Sequence, residues 1–128
     1  MLKLEKEKIS GKKIGKKLGF PTLNFPLNKR DKVKRGVWVV KLKHREKELF
    51  GVANVGKAKT FNGEKEQIEV HLFNFPKKGV KRAEIYFLKY LRKTKRFKKI
   101  EALREQIKKD IKKAKAVLNL TEEESLSI

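Results

Sequence analysis

The sequence contains no cysteine, and that absence excludes disulfide bonds, thiolate metal sites and cysteine nucleophiles together. It also has no long uninterrupted apolar run, so neither a signal peptide nor a membrane span is predicted. We therefore expect a cytoplasmic protein that makes no membrane contact.

Acidic residues are scarce beside basic ones. The chain has 15 Asp and Glu against 36 Lys and Arg, which gives a formal net charge of +21 at pH 7. An excess of this size points to a polyanion: nucleic acid, acidic membrane or a phosphorylated small molecule. Only 7 of the basic residues are Arg, the side chain favoured for reading base edges. The composition therefore weakens a sequence-specific DNA-binding hypothesis.

The length and apolar content predict one folded domain. The chain has 128 residues, of which 38% are hydrophobic, and no repeat or low-complexity segment divides it. Only residues 121–128 change character, to acidic, so we expect a domain over residues 1–120 followed by an acidic tail. Thr121 and Glu124 fit a capping box that would begin a short helix, and a frayed terminus explains the tail equally well.

Five segments have the alternation and β-branched content typical of short strands. They are Lys3 to Ile9, Gly36 to Leu42, Leu49 to Val55, Ile68 to Phe73 and Ala83 to Leu91. In the fourth segment the even-numbered residues from 68 to 72 are apolar. This pattern predicts that Glu69 and His71 share the face opposite the core.

The last third of the domain is predicted to be one amphipathic helix. Its apolar residues recur about every 3.6 positions. They are Ile100, Leu103, Ile107, Ile111, Ala114 and Leu118. The stripe is expected to pack onto the strands as core. Antiparallel strands followed by one helix predict a small β-barrel closed or covered by that helix.

A glycine- and lysine-rich segment follows the first strand. Gly11, Gly15 and Gly19 stand at four-residue intervals, with four lysines between residues 12 and 17. Glycine lets the backbone approach an anion closely while lysines neutralise it. No Gly-Lys-Ser/Thr closes the segment, so it is not a Walker A loop. On this pattern alone, a flexible basic turn explains the segment more simply than an anion site.

Pro21 precedes a hydroxyl and an amide, those of Thr22 and Asn24. In an extended stretch, side chains two residues apart lie on one side. Both supply hard oxygen ligands, which suit Mg²⁺ held by nucleotide phosphates. An ordinary turn, in which both side chains bond to local backbone, fits the residues equally well.

The segment from Gly11 to Asn24 resembles the nucleotide-binding signature of the riboflavin kinase family, which bacteria often carry as the C-terminal half of a bifunctional FAD synthetase. Four further segments resemble the family's motifs in the same order. They are residues 36–38, residues 51–61, residues 68–72 and residues 91–97, with Asp110 at the family's position in the closing helix. The resemblance covers roughly residues 8 to 118.

The resemblance implies a fold and a reaction. The fold is mainly β: a six-stranded antiparallel Greek-key barrel with a C-terminal amphipathic helix. The reaction transfers the γ-phosphate of ATP to the ribityl 5′-hydroxyl of riboflavin, giving FMN and ADP. It uses Mg²⁺ or another divalent ion. The motifs do not distinguish a preference for ATP from a preference for CTP. The partners are small-molecule substrates, with no physiological nucleic acid, and a monomer is expected. We expect that no adenylyltransferase domain precedes the barrel, so the expected product is FMN and not FAD.

The resemblance also implies residue roles. The nucleotide-binding residues are Gly11, Gly15, Lys17, Gly19, Pro21, Thr22 and Asn24. Thr22 and Asn24 also hold the metal ion, and Glu69 is the catalytic base. Arg92 and Phe97 close over the flavin. Lys93-Thr94 stands where the family often has Pro-Glu, so this closing segment departs from the pattern. His71 is expected to be structural.

Two alternative functions fit parts of the sequence. A basic, RNA-associated β-barrel without catalysis would account for the net charge. Against it, aromatic and basic residues do not interleave on one strand as a base-stacking platform requires. A flavin-binding or regulatory protein that has lost turnover is the second alternative, although every residue proposed for catalysis is present.

Overall fold

The alternating segments form one antiparallel sheet in the computed structural model, which describes residues 2–9, 22–60, 63–74 and 79–119. Its elements are β1 (Leu2–Glu7), β2 (Thr22–Pro26), β3 (Gly36–His44), β4 (Lys47–Thr60), β5 (Gly63–Leu72), β6 (Arg82–Arg92) and α1 (Ile100–Val117). The five predicted strands are present, and β4 is longer than expected. Strand β2 was expected only as an extended stretch. The predicted tail helix lies outside the described residues.

The strand order is β1-β6-β3-β4-β5-β2. Strands β3, β4 and β5 are consecutive hairpin neighbours, and β6 returns to lie beside β3, which is the Greek-key arrangement. The sheet curls into a half-barrel. Its edges meet where the Ile9 amide donates to the Asn24 carbonyl oxygen at 2.8 Å. The predicted fold class is confirmed.

The inner face of the curled sheet carries the main core. On β5 this face consists of Ile68, Val70 and Leu72, all buried, as the alternation predicts. Each large aliphatic side chain buried there contributes about 1.5 to 3 kcal/mol. The other large buried members include Leu23, Phe25, Val40, Leu42, Val55, Ile85 and Phe87. Glu69 and His71 consequently belong to the outer face.

Helix α1 covers part of that outer face. Ala114 packs against Val37 and Val39 of β3 and Val52 of β4, and Ile111 and Leu118 border the same cluster. The predicted apolar stripe is confirmed for Ile111, Ala114 and Leu118, which belong to or border this cluster, and for Ile107, which is buried. Ile100 is the exception. It is 57% exposed, and its position at the first residue of the helix leaves it outside the cluster, so the expectation that it is core is wrong.

A buried ion pair lies on the inner face near the end of β1. Lys6 follows the inward positions of Leu2 and Leu4, and its Nζ lies 2.5 Å from Oδ2 of Asp31. Burial raises the pKa of the Asp31 carboxyl, but the hydrogen bonds from Lys6 and from the backbone amide of Asn28 lower it. The net result is a pKa below the ordinary 3.8.

The substitution Asp31→Asn is expected to lower the free energy of unfolding by about 2 kcal/mol near pH 7, because the Lys6 ammonium stays buried without its counter-ion. The folded-state pKa lies below the unfolded one. The carboxylate therefore stabilises the fold fully above about pH 4, and that contribution is lost as the pH falls through the folded-state pKa. Urea denaturation across this range should show the difference between wild type and variant shrinking on acidification.

Glu48→Gln is the matched control for this measurement. It removes an exposed carboxylate that pairs with Lys41 at 2.7 Å on the surface of the sheet. Exposed pairs contribute little, so its effect on the free energy of unfolding should be much smaller. An Asp31→Asn variant as stable as wild type at pH 7 contradicts the assigned role of the pair.

Candidate active site

Polar side chains form a row across three neighbouring strands. Glu69 of β5 lies in register between Asn24 of β2 and Asn54 of β4. Residues directly opposite each other on antiparallel strands project to the same face, here the outer one. The Glu69 side chain is 31% exposed, whereas Asn24 is buried. A carboxylate flanked by two carboxamides is therefore reachable from outside the sheet.

Thr22 extends this row by one step along β2. It lies opposite His71 and two residues from Asn24. The Asn24 Nδ2 atom is 3.5 Å from Thr22 Oγ1, so the structure places hydroxyl and amide on one side, as the extended spacing predicts. They stand next to the proposed base, since Glu69 is the register partner of Asn24.

The donor set fits a magnesium–nucleotide complex. Mg²⁺ usually takes one or two protein oxygens and fills its remaining positions with water and substrate phosphates. The Thr22 hydroxyl and the Asn24 carboxamide supply two such oxygens. Among the residues that the structure describes there is no cluster of three or more His, Asp or Glu side chains that could hold a metal alone. Any ion at this position would thus depend on the nucleotide for much of its coordination.

A cleft of about 90 Å³ opens between the sheet and the start of α1. It brings together three of the predicted residues, Glu69, Arg92 and Phe97. The other polar lining residues are Asn54, His71, Thr94, Lys95 and Asp110, and the apolar ones are Val37, Val52, Ala53, Leu103 and Ile107. The volume is below the roughly 300 Å³ of pockets that hold drug-sized ligands.

Gly36 brings β3 close to β6 at the edge of this cleft. Its φ is +143°, and a Cβ atom there would lie 2.6 Å from the Arg92 carbonyl oxygen. Both the backbone conformation and the short distance require glycine. The close approach pairs Val37 with Arg92 and so brings the Arg92 side chain to the cleft.

Arg92 is held by the helix. Its Nε and Nη2 atoms donate to the two carboxylate oxygens of Asp110 at 2.9 and 2.7 Å, and Nη1 donates to the Lys93 carbonyl at 2.9 Å. Gln106 donates a further hydrogen bond to Asp110 at 3.0 Å. Arg92 was predicted to contact the flavin. The structure places it on the cleft with much of its hydrogen-bonding capacity directed to Asp110.

A second contact fastens the same segment to the sheet. The Thr94 hydroxyl donates to Oδ1 of Asn54 at 2.9 Å, next to Glu69 in the polar row. Sequence reasoning assigned no role to Asn54 or Thr94. The pairing of Asn54 with Glu69 follows from the hairpin register between β4 and β5, which is the signal that could have identified Asn54. Nothing in the sequence indicates the contact with Thr94.

Five predicted nucleotide-binding residues lie outside the described residues. They are Gly11, Gly15, Lys17, Gly19 and Pro21. The structure therefore bears on Thr22 and Asn24 of that set, and the other five stay predictions.

The family model for riboflavin kinase, named Flavokinase, matches residues 1–118. The chain belongs to the riboflavin kinase family. Among curated relatives, the bifunctional riboflavin kinase/FMN adenylyltransferase of Haemophilus influenzae is 39% identical over 113 residues, covering 87% of this chain and 37% of the relative. The Escherichia coli enzyme of the same name is 35% identical, covering 88% and 37%. The chain thus spans little more than a third of the length of these relatives.

One solved structure has a fold similar to that of this chain. A crystal structure described as a macrolide-efflux protein from Streptococcus pneumoniae has a TM-score of 0.77 and 28% identity, covering 89% of this chain and 38% of that one. The similarity shows that the fold described above also occurs in part of that structure. The RNA-associated alternative finds no support in the family match or in the relatives. In the described ranges, no helix is long and apolar enough to cross a bilayer.

Proposed function

We propose that this chain transfers the γ-phosphate of ATP to the 5′-hydroxyl of riboflavin, giving FMN and ADP. The observation that carries the proposal is the position of Glu69. On one side of its carboxylate lies Asn24, which pairs with Glu69 across the strands and is two residues from Thr22. On the other side lies the cleft lined by Arg92 and Phe97. A base in that position adjoins a phosphate-binding side and a flavin-binding side at once.

The steps assign one task to each group. A Glu69 carboxylate oxygen accepts the hydroxyl proton while the hydroxyl oxygen forms a bond to the γ-phosphorus and the bond to ADP breaks. The proton then leaves Glu69 for solvent. Thr22 and Asn24 would hold a divalent ion beside the nucleotide, and that ion would neutralise part of the phosphate charge. From the resemblance of their sequence to the family's motif, we propose that residues between Gly11 and Pro21 also bind the nucleotide.

The flavin side is the cleft under the segment that begins at Arg92. Apolar floor residues and the Phe97 ring offer a surface for a planar ring system, and residues 93–99 are proposed to close over it. Hydrogen exchange of this segment should slow when riboflavin and a nucleotide are added together. Unchanged exchange contradicts the closing motion.

A direct assay tests the reaction. The purified chain is incubated with riboflavin, ATP and Mg²⁺, and the flavins are separated by chromatography and identified by mass. FMN is the expected product. A folded protein that forms no FMN contradicts the proposal, and the appearance of FAD contradicts the expectation that the reaction stops at FMN. The proposal also takes the protein to be cytoplasmic and monomeric. Size-exclusion chromatography tests the oligomeric state.

Thr22→Ala is expected to reduce kcat/KM for ATP about 10-fold, equivalent to about 1.4 kcal/mol, through loss of one oxygen ligand. Thr22→Ser keeps the hydroxyl and serves as the matched control, so it should stay near wild type. The Mg²⁺ concentration giving half-maximal rate should rise in the Ala variant only. Equal activity of the Ala variant and wild type removes Thr22 from the proposed ligands.

A further inference from the structure

His71 takes no part in the steps given above, yet it adjoins the proposed base. It lies two residues from Glu69 on the same face of β5 and is 8% exposed. Its Nε2 atom is 3.3 Å from Oε1 of Glu69. Its Nδ1 atom is buried without a hydrogen-bond partner, the one such side-chain atom in the described part of the chain.

Packing alone does not explain a histidine at this position. The ring is flanked in register by Thr22 on β2 and Val52 on β4, and Val52 belongs to the apolar cluster under α1. A buried polar atom without a partner destabilises a fold by about 1 to 3 kcal/mol. An aliphatic residue would fill the same place without that penalty. The contact that distinguishes His71 from an aliphatic residue is the one with Glu69.

The 3.3 Å separation between Nε2 of His71 and Oε1 of Glu69 favours a proton on Nε2. A neutral imidazole has one N–H donor and one acceptor nitrogen. If Nδ1 carried the proton, the Nε2 lone pair would face the Glu69 carboxylate, which also carries lone pairs, and the two would repel. With the proton on Nε2, the ring donates a hydrogen bond to Oε1. The buried atom left without a partner is then Nδ1, which is a hydrogen-bond acceptor in this tautomer.

We propose that His71 is a positioning residue for Glu69: its Nε2–H donates to Oε1 and holds the carboxylate so that Oε2 faces the substrate hydroxyl. The inference rests on the proposed function. A general base must lie within hydrogen-bond reach of the proton that it accepts, and a misplacement of about 1 Å can lower the rate about 100-fold. Glu69 is partly exposed, and the contact of its Oε1 atom with Nε2 of His71 at 3.3 Å constrains the carboxylate.

Three variants separate positioning from packing. His71→Leu removes the donor and keeps the bulk, and it should lower kcat about 10- to 100-fold with little change in KM for riboflavin or ATP. The Gln side chain places its amide nitrogen near the position of Nε2, so His71→Gln should recover most of the lost kcat. The Asn amide nitrogen falls near the position of Nδ1, so His71→Asn should not. A Gln variant as slow as the Leu variant overturns the proposal.

His44, the only other histidine of the chain, is the matched control. It lies at the far end of β3, away from the cleft, with Nδ1 3.2 Å from the Arg82 carbonyl oxygen. His44→Leu should keep wild-type kcat. Thermal denaturation of every variant shows whether a slow protein is also an unfolded one. A wild type that forms no FMN overturns the proposed function and this inference together, whereas a fully active His71→Leu variant overturns the inference alone.

The tautomer gives a measurement that needs neither turnover nor a variant of His71. Long-range proton–nitrogen correlation spectra of the nitrogen-15-labelled protein at about pH 8.5, where an ordinary imidazole is neutral, distinguish the two neutral forms. His44→Gln assigns the two rings. Protonation of His71 at Nε2 supports the proposal, and protonation at Nδ1 contradicts it.

Discussion

Replacing Glu69 with Gln should lower kcat for riboflavin phosphorylation by about 100- to 10,000-fold, the range that a general base contributes. The amide has nearly the same shape as the carboxylate, but it does not accept a proton from the hydroxyl at neutral pH. KM for both substrates should change little, because the lost interaction is made in the transition state. Steady-state kinetics at saturating ATP and Mg²⁺ measure both parameters.

Glu64→Gln provides the matched control for this experiment. Glu64 lies on the same strand and is exposed. It pairs with Lys59, so it is remote from the polar row formed by Asn24, Glu69 and Asn54. The same chemical change there should leave kcat at the wild-type value. If the Glu69→Gln variant forms FMN at a near-native rate, Glu69 is not the base. The proposal that riboflavin binds in this cleft then loses its main support.

The second large effect is expected at the ion pair between Arg92 and Asp110. Their side chains are 19% and 7% exposed, and the guanidinium meets both carboxylate oxygens. Asp110→Ala should lower the free energy of unfolding by about 3 kcal/mol, because it leaves the half-buried Arg92 guanidinium without its carboxylate partner. Urea denaturation followed by circular dichroism measures the loss.

Two further variants separate the loss of the ion pair from a general effect of substitution in the helix. The double variant Arg92→Met with Asp110→Leu removes both charges, and it should recover much of the stability lost by Asp110→Ala. Glu105→Ala removes an exposed carboxylate on the same helix, 3.5 Å from Lys108, and should have a far smaller effect. An Asp110→Ala protein with wild-type stability shows that the contact contributes nothing to the fold.

Much of the fold could be predicted because it depends on local patterns. Alternation along residues 68–72 separated Ile68, Val70 and Leu72 from Glu69 and His71, and the structure keeps that separation. The helical stripe identified α1, with Ile100 as its single misplaced member. Strand β2 was the weaker case, because five residues containing Pro26 carry too little alternation to be distinguished from an extended loop.

The candidate site divides along the same line. Motif resemblance selected Glu69, Arg92 and Phe97, and all three line one cleft. It did not select Asn54 or Thr94, whose hydrogen bond joins residues 40 positions apart. It also assigned His71 to structure alone, since alternation shows which face a side chain occupies but not which atom it meets.

By itself the sequence determined the family, the faces of the strands and the chemical types of the site residues. These properties depend on residue identity and on spacings of a few positions. The backbone periods of helix and strand determine from such spacings which face of an element a residue occupies. The tertiary structure alone decided the rest: that Asn24 of β2 stands beside Glu69 of β5, and that Arg92 meets Asp110. The physical reason is that strand register and helix docking result from the packing of the whole core. Contacts between distant segments follow only from that packing.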